Sequence, residues 1–347
     1  MRASDAVAGT AQPPPASSAR TRGDRPIARF VLRRAAAAAA TLLVVSMLVF
    51  AGTEVLPGDA ASAVLGKTAT PDQVAQLRKD MGLDRPVPRR YADWLGGFVR
   101  GDMGESAAGY AAGSKVAIWS QVHPRLTATL WLAGITAFLM IPLSLLLGVV
   151  AARHAGRPAD VMISLASLAV ISMPEFVIGS LLILVLFTWL GALPPVALLD
   201  LGQSPLAHIR LLVLPVLTLL GATLAASVRM TRAGMIQALR SEFAEMARLN
   251  GFPERRVVWR HALRNALAPA VQIFAQNLQY LIGGVIVVEY LFAYPGLGKE
   301  LVDSVAIRDV RAVQSIALLI AVAVVAINLI ADLLVLLLVP RLRTSAR

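Results

Sequence analysis

The chain has 347 residues, 57% of them hydrophobic and 16% charged, with a mean hydropathy of +0.67 and a net charge of +12. That leaves too little polar surface to clothe a globule, so lipid is the expected solvent; the basic excess does not indicate nucleic acid, because the arginines fall between apolar stretches and not on one arm or face. Cysteine is absent and the four histidines (His123, His154, His208, His261) are scattered, which excludes disulfides, thiolate chemistry and a His/Cys metal site.

Residues 1–28 carry Pro13-Pro14-Pro15 and Ser17-Ser18 and read as a disordered tail. A hydrocarbon core about 30 Å thick needs roughly 20 apolar residues in a helix. Ala35–Thr53, within 29–56, is the first such segment, and its uncharged run is long for a signal peptide, so it is read as a retained span. Residues 57–125 form an extracytoplasmic loop with short helices. There Thr70-Pro71-Asp72-Gln73 predicts a capping box, Val74, Leu77 and Met81 one helix face, and Gly82 its end. Tyr91, Trp94, Leu95 and Phe98 share a second face. It is either a helix lying on the membrane interface or a scoop that meets a substrate-delivering protein.

A five-helix core, 126–340, follows. Its spans are Leu126–Ala152, Val161–Leu190, Leu211–Ser227 (short, but continuing through polar residues at both ends), Asn265–Val288 and Ala312–Leu338. Pro174 and Pro215 are expected to bend their helices. Glu175 is read as a structural or rim acid in preference to a pathway acid, and Asn328 and Asp332 as interhelical partners. Arg20, Arg22, Arg25, Arg29, Arg33, Arg34, Arg153, Arg157, the arginines of 228–264 and those of the tail 341–347 fall on one side if there are six spans. That side is the cytoplasm by the positive-inside rule, so both termini are expected there. The fold class is an all-α membrane protein of six transmembrane helices.

The cytoplasmic loop 228–264 contains a short helix. Ser241 is its expected cap, Glu242 suits its positive end, Phe243, Met246, Ala247 and Leu249 supply apolar contacts, and Gly251 fits the left-handed closing position. So short a helix needs packing, either on its own bundle or in a partner's groove. In the fifth span Gln272, Gln276, Gln279 and Gly283 recur at spacings of 4, 3 and 4 with Asn277 alongside. Amides facing lipid are costly, so the stripe serves helix packing or a translocation pathway. No phosphate-binding loop or hydrolytic motif occurs, so ATP and Mg²⁺ belong to other chains and this one is not expected to be an enzyme.

Glu245-Met246-Ala247-Arg248-Leu249-Asn250-Gly251 resembles the EAA loop of ABC importer permeases. Arg229-Met230-Thr231-Arg232, Gly251-Phe252-Pro253-Glu254-Arg255-Arg256 and Arg260-His261-Ala262-Leu263-Arg264 flank it. Leu56-Pro57-Gly58-Asp59, Tyr91-Ala92-Asp93-Trp94-Leu95-Gly96, Arg100-Gly101-Asp102-Met103-Gly104 and Glu289-Tyr290-Leu291-Phe292-Ala293-Tyr294-Pro295-Gly296-Leu297-Gly298 agree in order. Together they resemble the first permease subunit of the dipeptide/oligopeptide/nickel importers, over roughly 29–343. Departures are Met246 for the first alanine, Arg264 and Arg311 in place of prolines, and Val339 for the acid before Pro340.

The resemblance implies a type I ABC importer permease in the bacterial plasma membrane. Its partners would be a second homologous permease, two ABC ATPases, an extracytoplasmic solute-binding protein and the bilayer. Glu242, Glu245, Ala247 and Gly251 would couple to the ATPase, with Glu245 pairing to it. Peptides lead as solute; nickel chelates or other small solutes are the alternative. An ion-driven carrier is a distant one, lacking coupling acids at mid-membrane.

Overall fold

The computed structural model describes residues 26–55, 60–65, 69–111, 113–200, 202–203 and 205–338. Most of the expected N-terminal tail, Leu56-Pro57-Gly58-Asp59, Val339-Pro340 and the tail 341–347 lie outside the described residues. The first helix, α1 (Pro26–Glu54), is followed by the small helices α2 (Ala60–Leu65), α3 (Pro71–Asp80), α4 (Val87–Val99) and α5 (Ala107–Ala111). Then come α6 (Ile118–Arg153), α7 (Pro158–Ile171) and α8 (Glu175–Leu182), the last running into a π-helical stretch, Ile183–Trp189. A 3₁₀ turn, Pro205–His208, leads into α9 (Ile209–Leu239), then α10 (Glu242–Leu249) and the single turn α11 (Glu254–Arg256). A second π-helical stretch, Val257–Ala262, opens α12 (Leu263–Leu291), and α13 (Leu297–Ala306) and α14 (Val310–Leu338) complete the chain. Among the described residues five helices are long and apolar enough to cross a membrane, and the number is six when the bent pair α7–α8 is counted as one span. These elements are all helical, as the apolar runs require where every backbone group must be satisfied internally.

Three boundaries depart from expectation. Pro174 does not merely bend a helix: α7 and α8 meet at 108° across Ser172-Met173-Pro174. Proline lacks the N–H that would continue the ladder and disfavours helical geometry at Met173. The fourth span does not stop at Ser227. Val228, Thr231, Met235 and Ala238 continue one buried stripe, where Met235 and Ala238 cluster with Val149 and Ala152 of α6. Residues 228–239, expected as loop, are therefore a helical extension held by packing where apolar sequence has run out. Likewise α6 begins at Ile118, two turns before Leu126, because Ile118 and Val122 are buried with Leu297 and Ile316.

The centre of the bundle is α6, α9 and α12. Leu132, Met140, Leu214, Leu219, Leu281 and Val285 fill it. Pro215 lies within α9, which continues through it. By contrast α1 packs mainly on α14. Gln314 donates to Thr53 Oγ1 at 2.6 Å, and Arg34 and Asp332 form an ion pair at 3.1 Å, the interhelical role expected of Asp332.

In the segment between α1 and α6 the capping box forms as expected: Thr70 and Gln73 exchange hydrogen bonds, and Gly82 follows the helix in the left-handed region at φ +65°. The second aromatic face folds down on α1. Phe50 meets Tyr91 at 5.4 Å and Trp94 at 5.7 Å between ring centroids, and the Tyr91 and Ser46 hydroxyls are hydrogen-bonded at 2.8 Å.

Candidate coupling helix and translocation face

The short helix α10 sits between the end of α9 and the start of α12. Ser241 takes the extended conformation of a capping residue. Its hydroxyl, however, donates backward to the Ala238 carbonyl at 2.5 Å and leaves the helix N-terminus uncapped by a side chain. Glu242 and Glu245 lie in the first turn, where the helix dipole favours acids. Gly251 closes the helix at φ +78°, a region that costs a residue with a Cβ about 1 kcal/mol or more. The chain then reverses: the Gly251 N–H bonds the Arg248 carbonyl at 2.9 Å and the Phe252 N–H bonds the Ala247 carbonyl at 3.2 Å.

The two faces of α10 differ. Ala244 and Ala247 are buried against Val257. Phe243, Met246 and Leu249 are 40%, 58% and 76% exposed, and Glu242 and Glu245 are exposed as well. Of the four apolar residues expected to make contacts, only Ala247 faces the bundle. Arg248 locks the turn, with Nε and Nη2 on the two Glu254 carboxylate oxygens at 3.1 and 3.0 Å and Nη1 on the Leu239 carbonyl at 3.2 Å. This hydrogen-bonded pairing holds the Glu254 carboxyl below the usual range.

The extension of α9 that carries α10 is itself braced. Arg232 binds Asp160, near the start of α7, through Nε–Oδ1 at 2.5 Å and Nη2–Oδ2 at 2.8 Å. Asp160 also accepts the Gly156 N–H at 2.9 Å. Arg232 stood out in the sequence only as part of the Arg229-Met230-Thr231-Arg232 flank and Asp160 not at all, since an acid 72 positions earlier carries no local signal of the pairing.

On α12, Gln272, Gln276 and Gln279 lie exposed on one face together with Tyr280 and Gly283. Asn277 is separated from them: it is buried against α9, donating to the Thr223 carbonyl at 3.2 Å and the Ser227 hydroxyl at 2.6 Å. Its role here is helix packing. Glu175, at the start of α8, accepts the Tyr280 hydroxyl at 2.6 Å, which places this acid at the rim of the glutamine face.

Sequence reasoning assigned no role to Glu289, which is fully buried at the far end of α12. It accepts the Thr129 hydroxyl at 2.6 Å, the Gly298 N–H at 2.7 Å and the Lys299 N–H at 3.3 Å. Thr129 in turn accepts the Leu297 N–H at 2.8 Å. The first amides of α13 are thereby satisfied by side chains of α12 and α6. Gly296 makes room: a Cβ there would stand 2.0 Å from the Glu289 carboxyl carbon. The legible signal was an acid ending an apolar run, then Pro295-Gly296 before a helix.

Residues 144–344 match the family model described as binding-protein-dependent transport system inner membrane component, and residues 27–133 match the model of the N-terminal part of that system's membrane component. Among similar proteins, the glutathione transport system permease protein GsiC of Pectobacterium atrosepticum is 34% identical over 306 residues, covering 88% of this chain and 95% of that protein. The protein of the same name from Escherichia coli K12 is 34% identical over 305 residues, with the same shares covered. The chain therefore belongs to the binding-protein-dependent transport system inner membrane components: it is a permease subunit of an ABC importer, a multi-pass protein of the bacterial inner membrane whose ATP hydrolysis falls to separate subunits.

Proposed function

We propose that this permease imports short peptides, glutathione-like compounds among them, and that α10 is its contact with an ATPase subunit. One observation carries the second point: a helix locked inward by Ala244 and Ala247 turns three large apolar side chains and two acids outward. Apolar anchors ringed by charge suit a groove in a soluble partner. Glu245 pairs with a cation of that groove, Ala247 seats the helix, and Gly251 returns the chain to α12.

The transport unit on this reading contains a second, homologous permease, two ATPases and an extracytoplasmic solute-binding protein. Both termini and the arginine-rich 228–264 segment face the cytoplasm, and 57–125 faces outward. The glutamine face of α12 lines the pathway. Uncharged amides offer hydrogen bonds to a peptide backbone without holding it by charge. The relatives named for glutathione transport support a small peptide as the solute class.

The test is ATP-dependent uptake of labelled dipeptides and glutathione in vesicles containing the whole importer, with and without Glu245→Arg. Loss of uptake with the complex still assembled is the expected result. Undiminished uptake in the variant would remove α10 from the coupling role, and exclusion of all peptides by the wild type would refute the solute class.

A further inference from the structure

At the end of the bundle away from α10, a cavity of about 410 Å³ lies between the last turn of α1, the α3–α4 segment and the start of α14. That volume falls in the range of small-molecule sites, roughly 300–1,000 Å³. Its charged lining is partly self-satisfied: Arg90 pairs with Glu54, and Arg85 with Asp93 at 3.1 Å. Two charges are not. Arg311 donates to the Met81 carbonyl, and no carboxylate among the described residues reaches it within ion-pair distance. Asp102 accepts the Gly104 N–H at 2.9 Å, and no cation among the described residues pairs with it. The indole N–H of Trp94, another lining residue, is buried without an acceptor among the described residues.

We propose that this cavity binds the zwitterion of a short peptide, with Arg311 taking the carboxylate and Asp102 the ammonium. One uncommitted charge of each sign in one cavity is complementary to a molecule carrying both. Each charge has one hydrogen-bond partner, a carbonyl or an amide, that holds it in place; Asp309 and Glu105 act on Arg311 through space, beyond ion-pair distance, and leave its guanidinium without a direct carboxylate partner. A fixed cation in a partly enclosed site favours a carboxylate far more than one in open water does, because the surroundings screen it less. The site is separate from the glutamine face of α12 and shares no residue with it. It would hold solute at the entrance side, before the pathway. The choice of a peptide as ligand rests on the peptide-import reading; the demand for both charges rests on the cavity.

The experiment uses the permease–ATPase complex in detergent, without the solute-binding protein, and equilibrium dialysis of radiolabelled tri-alanine. Saturable binding is expected, weakened roughly tenfold by N-acetylation and again by C-terminal amidation, the size of one lost charge-assisted hydrogen bond. Asp102→Asn keeps the bond to Gly104 and abolishes the penalty of acetylation alone. Arg311→Gln abolishes the penalty of amidation alone. Absent binding, equal binding of the blocked peptides, or an acetylation penalty that survives in Asp102→Asn overturns the proposal. Binding of glycerophosphoethanolamine but not tri-alanine also overturns it and makes the cavity a lipid-headgroup site. Vesicle uptake separates the two readings: uptake of tri-alanine without binding sinks the cavity site alone, whereas binding without uptake sinks the transport reading alone.

Discussion

The brace between Arg232 and Asp160 makes an asymmetric prediction. The Asp160 side chain is 5% exposed and the Arg232 side chain 31%. Replacing Arg232 by alanine strands a carboxylate in the packed interior with one amide and, at 3.4 Å, one hydroxyl for company. Orphaning a buried charge costs about 3–5 kcal/mol. Replacing Asp160 by alanine leaves a guanidinium that reaches water at one edge and can rehydrate, so about 1–2 kcal/mol is expected. The double variant should be less damaging than Arg232→Ala alone, because no charge is left without a partner. Reversible unfolding of the purified permease in mixed micelles would rank the three. ATP-driven uptake should fall in the same order, since the braced extension of α9 carries α10. Equal losses from the two single variants, or a double variant worse than Arg232→Ala, would refute the burial reasoning.

Gly296→Ala should prevent accumulation of folded permease, by at least about 3 kcal/mol, because the new Cβ would stand 2.0 Å from the Glu289 carboxyl; a variant that accumulates and transports normally would show that the α12–α13 turn yields easily. The Arg248–Glu254 lock gives a pH dependence of defined sign. Glu254 has its pKa lowered from 4.5 in the folded state, so the lock is fully present above about pH 4.5 and is lost as pH falls through the depressed value. Both side chains are 40–50% exposed, so the contribution is under about 1 kcal/mol. Hydrogen exchange at the Gly251 and Phe252 amides should speed up below pH 4.5 beyond the intrinsic change, and Glu254→Gln should remove that excess.

What could be read in advance was local. The Thr70–Gln73 box and the Gly251 reversal are determined by residues three to five positions apart, and both formed as expected. The apolar runs located the spans for the same reason, since hydropathy is a sum over neighbours. Features that depend on a distant partner were hidden. The end of α9 is set by Met235 and Ala238 meeting α6: the apolar run stops at Ser227 and points to a continuation into polar residues, but hydropathy does not say that it runs twelve residues on, to Leu239. Gln276 and Asn277 are adjacent and chemically alike, yet one is exposed and the other is bonded to α9, a difference of about 100° around the helix. Ser241 had an equally good acceptor behind it in Ala238, and a capping motif alone does not say which bond wins.

The loose seating of α1 has a consequence for biogenesis. Its principal partner is α14, reached through Thr53–Gln314 and Arg34–Asp332, and residues 55–309 separate the two helices in the chain. A ribosome delivers α1 to the bilayer long before its partner exists. The first helix must therefore wait in lipid as an independent stable insert, able to do so because Leu43, Met47 and Leu48 offer the lipid an apolar surface. Closure of the α1–α14 contact is then a late event of synthesis. A defect in α14 would leave α1 inserted but undocked, a free transmembrane helix exposing Arg34 and Thr53 to membrane quality control.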